Sequence, residues 1–140
     1  MRVSSLGVAR PAYYDRNATS VLNSYSATVS PHGYTTRFTY TVASGRKMLV
    51  EALTIRQQRA TAATVVGAYY AQIATFVGSD AILNSYVYSL DNTITSPLFN
   101  QASTQVTIYA GEQVQCSTQD SSTGGTVTYL ASFKATLFDA

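Results

Sequence analysis

Residues able to do acid–base or nucleophilic chemistry are few in this chain and lie far apart in sequence. The one histidine, His32, stands in a Pro31-His32-Gly33 turn, where we expect it to be exposed to solvent. A Ser/His/Asp triad would have to use this histidine, and no neighbouring residue favours that role. The carboxylates are dispersed and mostly stand beside turn residues, as turn formers and solubilising charges would: Asp15, Glu51, Asp80, Asp91, Glu112, Asp120 and Asp139. We therefore predict that the protein is not an enzyme.

Metal and cofactor binding have no better support. The runs Asp91-Asn92-Thr93 and Asp120-Ser121-Ser122 offer oxygen ligands, but neither has the D-x-[DN]-x-[DN]-G spacing of a calcium loop. The single cysteine, Cys116, excludes an intrachain disulfide and a multi-cysteine metal site. It falls on the same side of its predicted strand as Val114, which predicts a buried thiol. We expect no cofactor and no metal.

Composition argues against two classes of partner. Charged residues make up 11% of the 140 residues, and the net charge is +2. An ordinary soluble domain carries about 25% charged residues. Because no run of Lys and Arg is present, we expect no nucleic-acid partner. The chain starts without the apolar core of a secretory signal, and no stretch approaches the ~18 apolar residues of a membrane span, so we also expect no membrane association.

The elements that position these residues are predicted to be β-strands, because polar and apolar residues alternate along much of the chain. A strand from Tyr34 is predicted to place Tyr34, Phe38, Tyr40 and Val42 on one face. The clearest alternation closes the chain, with one face made of Val127, Tyr129, Ala131, Phe133, Ala135 and Leu137. Seven or eight strands at regular spacing indicate one all-β domain over residues 31–140. We predict an antiparallel β-sandwich of jelly-roll type.

The eleven tyrosines suggest contact surfaces, because tyrosine brings a large contact area with few rotatable bonds. Residues 64–73 carry apolar or aromatic side chains on both faces of the predicted strand. Only one face of each sheet meets the core of a two-layer sandwich, so the second face needs a cover. We predict a homo-oligomer, most simply a homotrimer, in which the interface is formed by Tyr69, Tyr70, Tyr86 and Tyr88.

Two segments resemble a known group of proteins. Residues 40–51 are similar to the "V-P-A-G-K/R" turn and the apolar strand after it, which occur near the start of many small bacteriophage virion accessory β-sandwiches; Ala43 stands where those usually have Pro. Residues 108–114, followed by residues 120–138, resemble the "L-x-A-G-D-x-V … S-x-G-G … Y-x-x-S" ending of the same proteins. Glu112 replaces the usual Asp.

The resemblance implies a jelly-roll-like fold, often trimeric, in a capsid decoration, cement, fibre or spike protein. We expect a decoration or cement protein that binds the major capsid protein on the outer surface of a phage head and stabilises the head. Without an export signal, assembly in the host cytoplasm and release in the virion is the expected route. The alternative is a fibre-head or receptor-binding module that recognises a host surface glycan, although the absence of Trp weighs against a carbohydrate platform. A minor capsid or tail-tube subunit and a jelly-roll hydrolase are further alternatives.

Residues 1–30 have the least pattern, and we predict that they form an extended N-terminal arm. Aromatic and arginine side chains are the residue types that most often anchor a docked segment. The arm is therefore expected to attach the protein to the capsid through Arg10, Tyr13, Tyr14 and Arg16. The other possibility is that the arm lies along its own sandwich as an extra strand.

Overall fold

A computed structural model of the protein describes residues 18–140, and this part of the chain forms β-strands without a helix. No helix in this part could therefore cross a membrane. β-branched and aromatic residues favour extended backbone, and Gly45, Gly78 and Gly111 adopt positive φ in the turns between strands. The strands are β1 (Thr19–Val29), β2 (His32–Thr41), β3 (Arg46–Thr61), β4 (Tyr69–Val77), β5 (Asp80–Ser89), β6 (Leu98–Ala102), β7 (Val106–Tyr109), β8 (Gln113–Asp120) and β9 (Thr126–Asp139).

The strands form two antiparallel sheets that pack face to face. The first sheet has the order β1-β9-β3-β6, with β7 also paired to β3, and the second has the order β2-β8-β4-β5. Most connections therefore carry the chain from one sheet to the other. The predicted all-β antiparallel sandwich is confirmed, and the strand order is consistent with the jelly-roll type.

Part of the predicted N-terminal arm is a strand of the sandwich. Residues 19–29 form β1, which pairs with β9 from Thr19 opposite Leu137 to Val29 opposite Val127. Tyr25 and Val29 pack against the core. For this stretch the structure shows the other possibility, an arm that lies along its own sandwich as a strand, because pairing with β9 satisfies its backbone groups and its inward side chains bury apolar surface. The predicted anchors Arg10, Tyr13, Tyr14 and Arg16 lie outside the described residues.

The core lies between the sheets and contains the residues that the alternation of β9 predicted. Phe133 is buried, with its ring centroid 6.1 Å from that of Phe38 and 5.7 Å from that of Tyr40. Of the residues that the alternation predicted to face inward, Val114, Val127, Tyr129 and Phe133 are buried, and Phe38, Tyr40 and Leu137 are partly buried against them. Val50 of β3 is buried as well.

Strand β2 departs from the predicted alternation. Its register with β8 shifts twice, the second time between Thr36 and Phe38. These irregularities leave Tyr40 and Val42 facing inward but turn Tyr34 to the solvent, where it is 57% exposed. The prediction that Tyr34 shares the inner face is wrong, because a β-bulge reverses the parity of the residues before it.

Candidate interaction surface

The four tyrosines predicted to form an oligomer interface divide between the two faces of one sheet. Tyr69 is buried, and its hydroxyl donates a hydrogen bond of 2.7 Å to the Asp91 carboxylate. Its neighbour Tyr70 points to the opposite face, as successive residues of a strand must. Tyr86 and Tyr88 are on that outer face too and are exposed. Because it is buried, Tyr69 cannot contact a partner at the predicted interface, whereas Tyr70, Tyr86 and Tyr88 can.

The outer face of the second sheet carries a continuous set of tyrosines and glutamines. Tyr70 on β4 lies between Tyr88 of β5 and Gln119 of β8. Two residues further along β4, Gln72 lies beside Tyr86. We name this surface the tyrosine–glutamine face, and it comprises Tyr34, Tyr70, Tyr86, Tyr88, Gln72, Gln113, Gln115 and Gln119.

Two of these tyrosines, Tyr70 and Tyr86, are in ring contact, and Tyr34 lies close enough to affect Tyr70. The ring centroids of Tyr70 and Tyr86 are 5.7 Å apart, and the Tyr34 hydroxyl shares a hydrogen bond of 2.8 Å with the hydroxyl of Ser117. Partial burial raises the pKa of Tyr70, and the neighbouring Tyr34 and Tyr86 raise it further. At neutral pH the Tyr70 ring is therefore uncharged and carries its hydroxyl group at the edge of the ring.

The glutamines on the same face hydrogen-bond to one another and to strand β2. The amide of Gln115 donates to the side-chain oxygen of Gln113 at 2.9 Å, and the amide of Gln113 donates to the Thr41 hydroxyl at 3.2 Å. By register, the described β2, β8, β4 and β5 residues around them are Thr36, Thr39, Ser117, Ala74 and Asn84. This part of the face thus has no charged side chain, so a partner can cover it without desolvating an ion.

The most polar part of the interior surrounds a buried arginine near one end of the sandwich. Arg59 on β3 is fully buried. Its Nε donates hydrogen bonds to the backbone oxygen and the carboxylate of Asp91, at 3.1 and 3.2 Å. Its Nη2 donates to the Ser122 hydroxyl at 3.1 Å and lies 3.9 Å from the buried carboxylate of Asp120. The Tyr69 ring covers the guanidinium carbon at 4.7 Å.

Three loops meet at this end of the sandwich, and we name residues 62–68, 90–97 and 121–125 the loop end. The amide of Ala63 donates to the backbone oxygen of Asn92 at 2.8 Å. The amide of Thr64 donates to the backbone oxygen of Thr123 at 2.8 Å, and Val65 and Thr123 form an isolated β-bridge. Arg59 lies beneath these loops and holds residues of two of them.

Several single residues differ from their predicted roles. His32 is partly buried rather than a free loop residue, because its ring nitrogens hydrogen-bond to the Ser30 oxygen at 2.7 Å and the Thr118 hydroxyl at 2.8 Å. Asp91 and Asp120 are ion-pair partners of Arg59 rather than solubilising turn charges. Cys116 is a buried thiol, as predicted, and burial raises its pKa to about 12.

The arginine site had a signal in the sequence. Parity along β3 places Gln57 and Arg59 on the same face as the buried Leu53 and Ile55. A charged residue on an otherwise apolar face is the mark of a buried ion that needs partners. The partners themselves could not be named, because Asp91 and its neighbours follow on other elements and meet Arg59 only in the folded chain.

Within residues 18–140, no group of three or more His, Cys, Asp or Glu side chains is placed so that it could hold a metal ion. An open depression of about 150 Å³ on the outer face of the first sheet is lined by Arg56, Gln58, Thr128 and Leu130. This lining offers neither a carboxylate nor a histidine or cysteine. The exposed tyrosine–glutamine face is therefore the stronger candidate for function.

Known proteins offer a weak structural likeness to this chain. No family model matches the chain, and no curated protein matches it either. The chain is similar to one in the structure of infectious bursal disease virus, Gx strain, with a TM-score of 0.42 and 10% sequence identity. The match covers 89% of this chain and 32% of that one, so this chain spans about a third of the length of its neighbour. The likeness is weak.

Proposed function

We propose that this protein is a non-enzymatic structural component of a virus particle, a decoration or cement protein that binds the major capsid protein of a phage head. It acts as a homo-oligomer, a homotrimer in the simplest case, and reaches the virion by assembly in the host cytoplasm. The observation that carries the proposal is the uncharged tyrosine–glutamine face on a rigid β-sandwich. The resemblance of residues 40–51, 108–114 and 120–138 to small phage accessory proteins gives the proposal its viral context.

The tyrosine–glutamine face suits a subunit contact for two physical reasons. Tyr34, Tyr86 and Tyr88 are 57%, 42% and 51% exposed, so each ring has apolar area left to bury. Their neighbours are held by hydrogen bonds within the sheet, and docking therefore freezes few side-chain rotors. Removing uncharged rings and amides from water costs less than removing ions, which favours contact with another protein surface of the same kind.

A receptor-binding fibre head is the second candidate, and the same surface is what favours it. Tyrosine rings stack on sugar rings, and the glutamine amides beside them can donate and accept hydrogen bonds with sugar hydroxyls. Binding of the purified protein to a glycan array that disappears in a Tyr86→Ala/Tyr88→Ala variant would favour this function. We expect no such binding.

The first experiment measures the oligomeric state of the purified chain by light scattering and native mass spectrometry at micromolar concentration. We expect a homo-oligomer for the wild type and a shift to monomer for Tyr86→Ser/Tyr88→Ser. The control is Leu22→Ser, since Leu22 is 77% exposed on the outer face of the other sheet. A wild type that stays monomeric, or an oligomer that the tyrosine variant leaves intact, would remove the argument from this face.

The second experiment tests the capsid partner. Shells assembled from the major capsid protein encoded alongside this chain are sedimented with the purified protein and imaged by electron microscopy. We expect saturable binding to the outer surface and greater resistance of the shell to heat. Failure to bind, or immunogold labelling of the tail in intact particles, would refute the decoration function.

A further inference from the structure

Three buried polar side chains near one end of the sandwich each keep one atom without a hydrogen-bond partner. Gln57 and Arg59 on β3 are 1% and 0% exposed, and Asp120 at the end of β8 is 2% exposed. Among the described residues, Gln57 Oε1, Arg59 Nη1 and Asp120 Oδ2 find no partner. Nearly all buried polar atoms in folded proteins are paired, either with other protein atoms or with ordered water. Three such atoms on neighbouring side chains therefore need an explanation.

The contacts of Tyr69 show that these three side chains surround one place. The amide of Gln57 donates to the Tyr69 backbone oxygen at 3.2 Å, and the Tyr69 ring covers the guanidinium carbon of Arg59 at 4.7 Å. Asp120 is the residue opposite Tyr69 in the pairing of β4 with β8. Gln57 and Arg59 leave the same face of β3, two residues apart. The unpaired atoms thus belong to side chains that meet between the two sheets.

The separation of the two charged groups fits a bridged pair. Arg59 Nη2 lies 3.9 Å from Asp120 Oδ1, which is beyond hydrogen-bond distance. An ordered water can bridge polar groups at such a separation. The other polar atoms of both groups have partners, because Asp91 accepts from Nε, Ser122 accepts from Nη2, and Oδ1 accepts from the amide and hydroxyl of Ser122. Nη1 and Oδ2 are therefore the atoms left to bind a bridging molecule.

The donors and acceptors of the three atoms select the ligand. The Tyr69 backbone oxygen can only accept, so the amide nitrogen of Gln57 must face it, and Oε1 is the atom left over. Gln57 Oε1 and the carboxylate oxygen Asp120 Oδ2 accept hydrogen bonds, whereas Arg59 Nη1 only donates them. The ligand must therefore donate twice and accept at least once. A water molecule does both, because it has two hydrogens and two lone pairs.

Ions fit these atoms less well than water does. A metal cation would lie beside the guanidinium of Arg59, which repels it and has no lone pair to offer. A halide or other anion would face two acceptor oxygens, and one of them belongs to the Asp120 carboxylate, which also repels it. Water adds no charge to a group of side chains whose ion pairs are already made by Arg59, Asp91 and Asp120. A neutral donor and acceptor is thus the matching class of ligand.

We propose that Gln57 Oε1, Arg59 Nη1 and Asp120 Oδ2 form the binding site of one buried water molecule beneath the loop end. Strand β3 belongs to the first sheet and β8 to the second, so this water links the two sheets. It also completes the hydrogen bonds of Arg59, whose Nε and Nη2 already donate to protein oxygens. This inference is independent of the proposed function.

The first test is a high-resolution crystal structure of the wild-type chain. We expect one density peak with the strength of a water oxygen, at about 2.7 to 3.2 Å from Gln57 Oε1, Arg59 Nη1 and Asp120 Oδ2. A direct hydrogen bond from Nη1 to either oxygen, with no peak between them, would overturn the proposal. A peak that scatters anomalously, or that lies as close to the oxygens as a metal ion does, would identify an ion and would overturn it too.

The second test is made in solution by magnetic relaxation dispersion of the solvent, which detects water molecules held inside a protein for longer than its tumbling time. Gln57→Met keeps the length of the side chain and removes Oε1, so we expect the dispersion amplitude to fall by the contribution of one water. Gln58→Met is the matched control, because Gln58 is the next residue, lies on the outer face and donates to the Thr95 backbone oxygen at 2.7 Å. It should keep the wild-type amplitude. An equal amplitude for Gln57→Met and the wild type would overturn the proposal, and the crystal structure decides the question if Gln57→Met does not fold.

Discussion

The guanidinium carbon of Arg59 lies 4.7 Å from the centre of the Tyr69 ring, and both side chains are buried. The Tyr69 hydroxyl donates to one oxygen of the Asp91 carboxylate, and Arg59 donates to the other. The Tyr69 ring, the Arg59 guanidinium and the Asp91 carboxylate thus each contact the other two. A cation removed from water needs such compensation, because its desolvation costs several kcal/mol.

Replacing Asp120 by Asn should therefore destabilise the protein strongly. The substitution leaves the buried Arg59 with one carboxylate instead of two, and breaking a buried pair typically costs about 3 to 5 kcal/mol. The free energy of unfolding, measured with urea, is expected to fall by this amount. Asp139→Asn is the control, because the Asp139 side chain is 55% exposed and its pair with Arg46 at 3.3 Å lies at the surface. It should change stability by less than about 1 kcal/mol, and equal losses in both variants would contradict the prediction.

Phe133 tests the alternation that the sequence showed most clearly. Its side chain is 1% exposed and packs against Phe38 and Tyr40, so Phe133→Ala should cost about 3 to 5 kcal/mol in the free energy of unfolding. The control is Leu130→Ala on the same strand, since Leu130 faces outward and is 39% exposed. A loss below about 1 kcal/mol for Phe133→Ala would mean that this face of β9 is not part of the core.

The sequence indicated β9 clearly but gave β1 only as one of two possibilities for the arm, and the difference has a physical cause. Along β9 the inward residues from Val127 to Ala135 are all apolar, so the period of two is clear over this stretch. Along β1 the pattern is reversed near its start, because Leu22 is 77% exposed while Asn23 is turned inward and partly buried. The strand forms because it pairs with β9 along its whole length, and a partner from the other end of the chain leaves no local signal.

The tyrosine–glutamine face was predicted only in part for a similar reason. Alternation within β4 and β5 was enough to place Tyr70, Tyr86 and Tyr88 on one surface. Tyr34 joined them because of irregular register in β2, which depends on pairing with β8 and is not visible in sequence. Tyr69 is buried because its face of β4 meets the other sheet; the sequence indicated that both faces of this strand are apolar or aromatic, but not which of them faces the core.

Alkaline pH should destabilise the fold through buried groups that include Cys116 and Tyr69, and burial raises the pKa of Tyr129 as well. Burial raises the pKa of Cys116 from 9.0 to about 12, and burial with the hydrogen bond to Asp91 raises the pKa of Tyr69 from 10.0 to about 12. Both groups are neutral when protonated, so the unfolded chain releases these protons at a lower pH than the native one. Their contribution to the stability of the fold is fully present below about pH 9 and is lost as the pH rises to about 12.

The measurement is the urea midpoint at several pH values from 8 to 11, compared between the wild type and Cys116→Ala. We expect the midpoint to fall with rising pH, and less steeply in the variant because one of these groups is gone. Rapid reaction of Cys116 with a thiol reagent at pH 8 in the native protein would contradict the burial on which this prediction depends.

Gly67→Ala tests the contact between the β3–β4 and β8–β9 loops. The new methyl group would meet the backbone of Ser121 at 2.4 Å, closer than real Cβ atoms approach, so one loop must move. Overpacking of this kind costs about 1 to 3 kcal/mol, and here it should also release the hydrogen bond from the Ser121 amide to the Ala68 oxygen at 2.9 Å. Gly33→Ala is the matched control, because nothing lies within 4 Å of its added Cβ. We expect lower stability and faster hydrogen exchange at Ser121 for Gly67→Ala and little change for Gly33→Ala. Equal stability in the two variants would mean that the loops can separate freely.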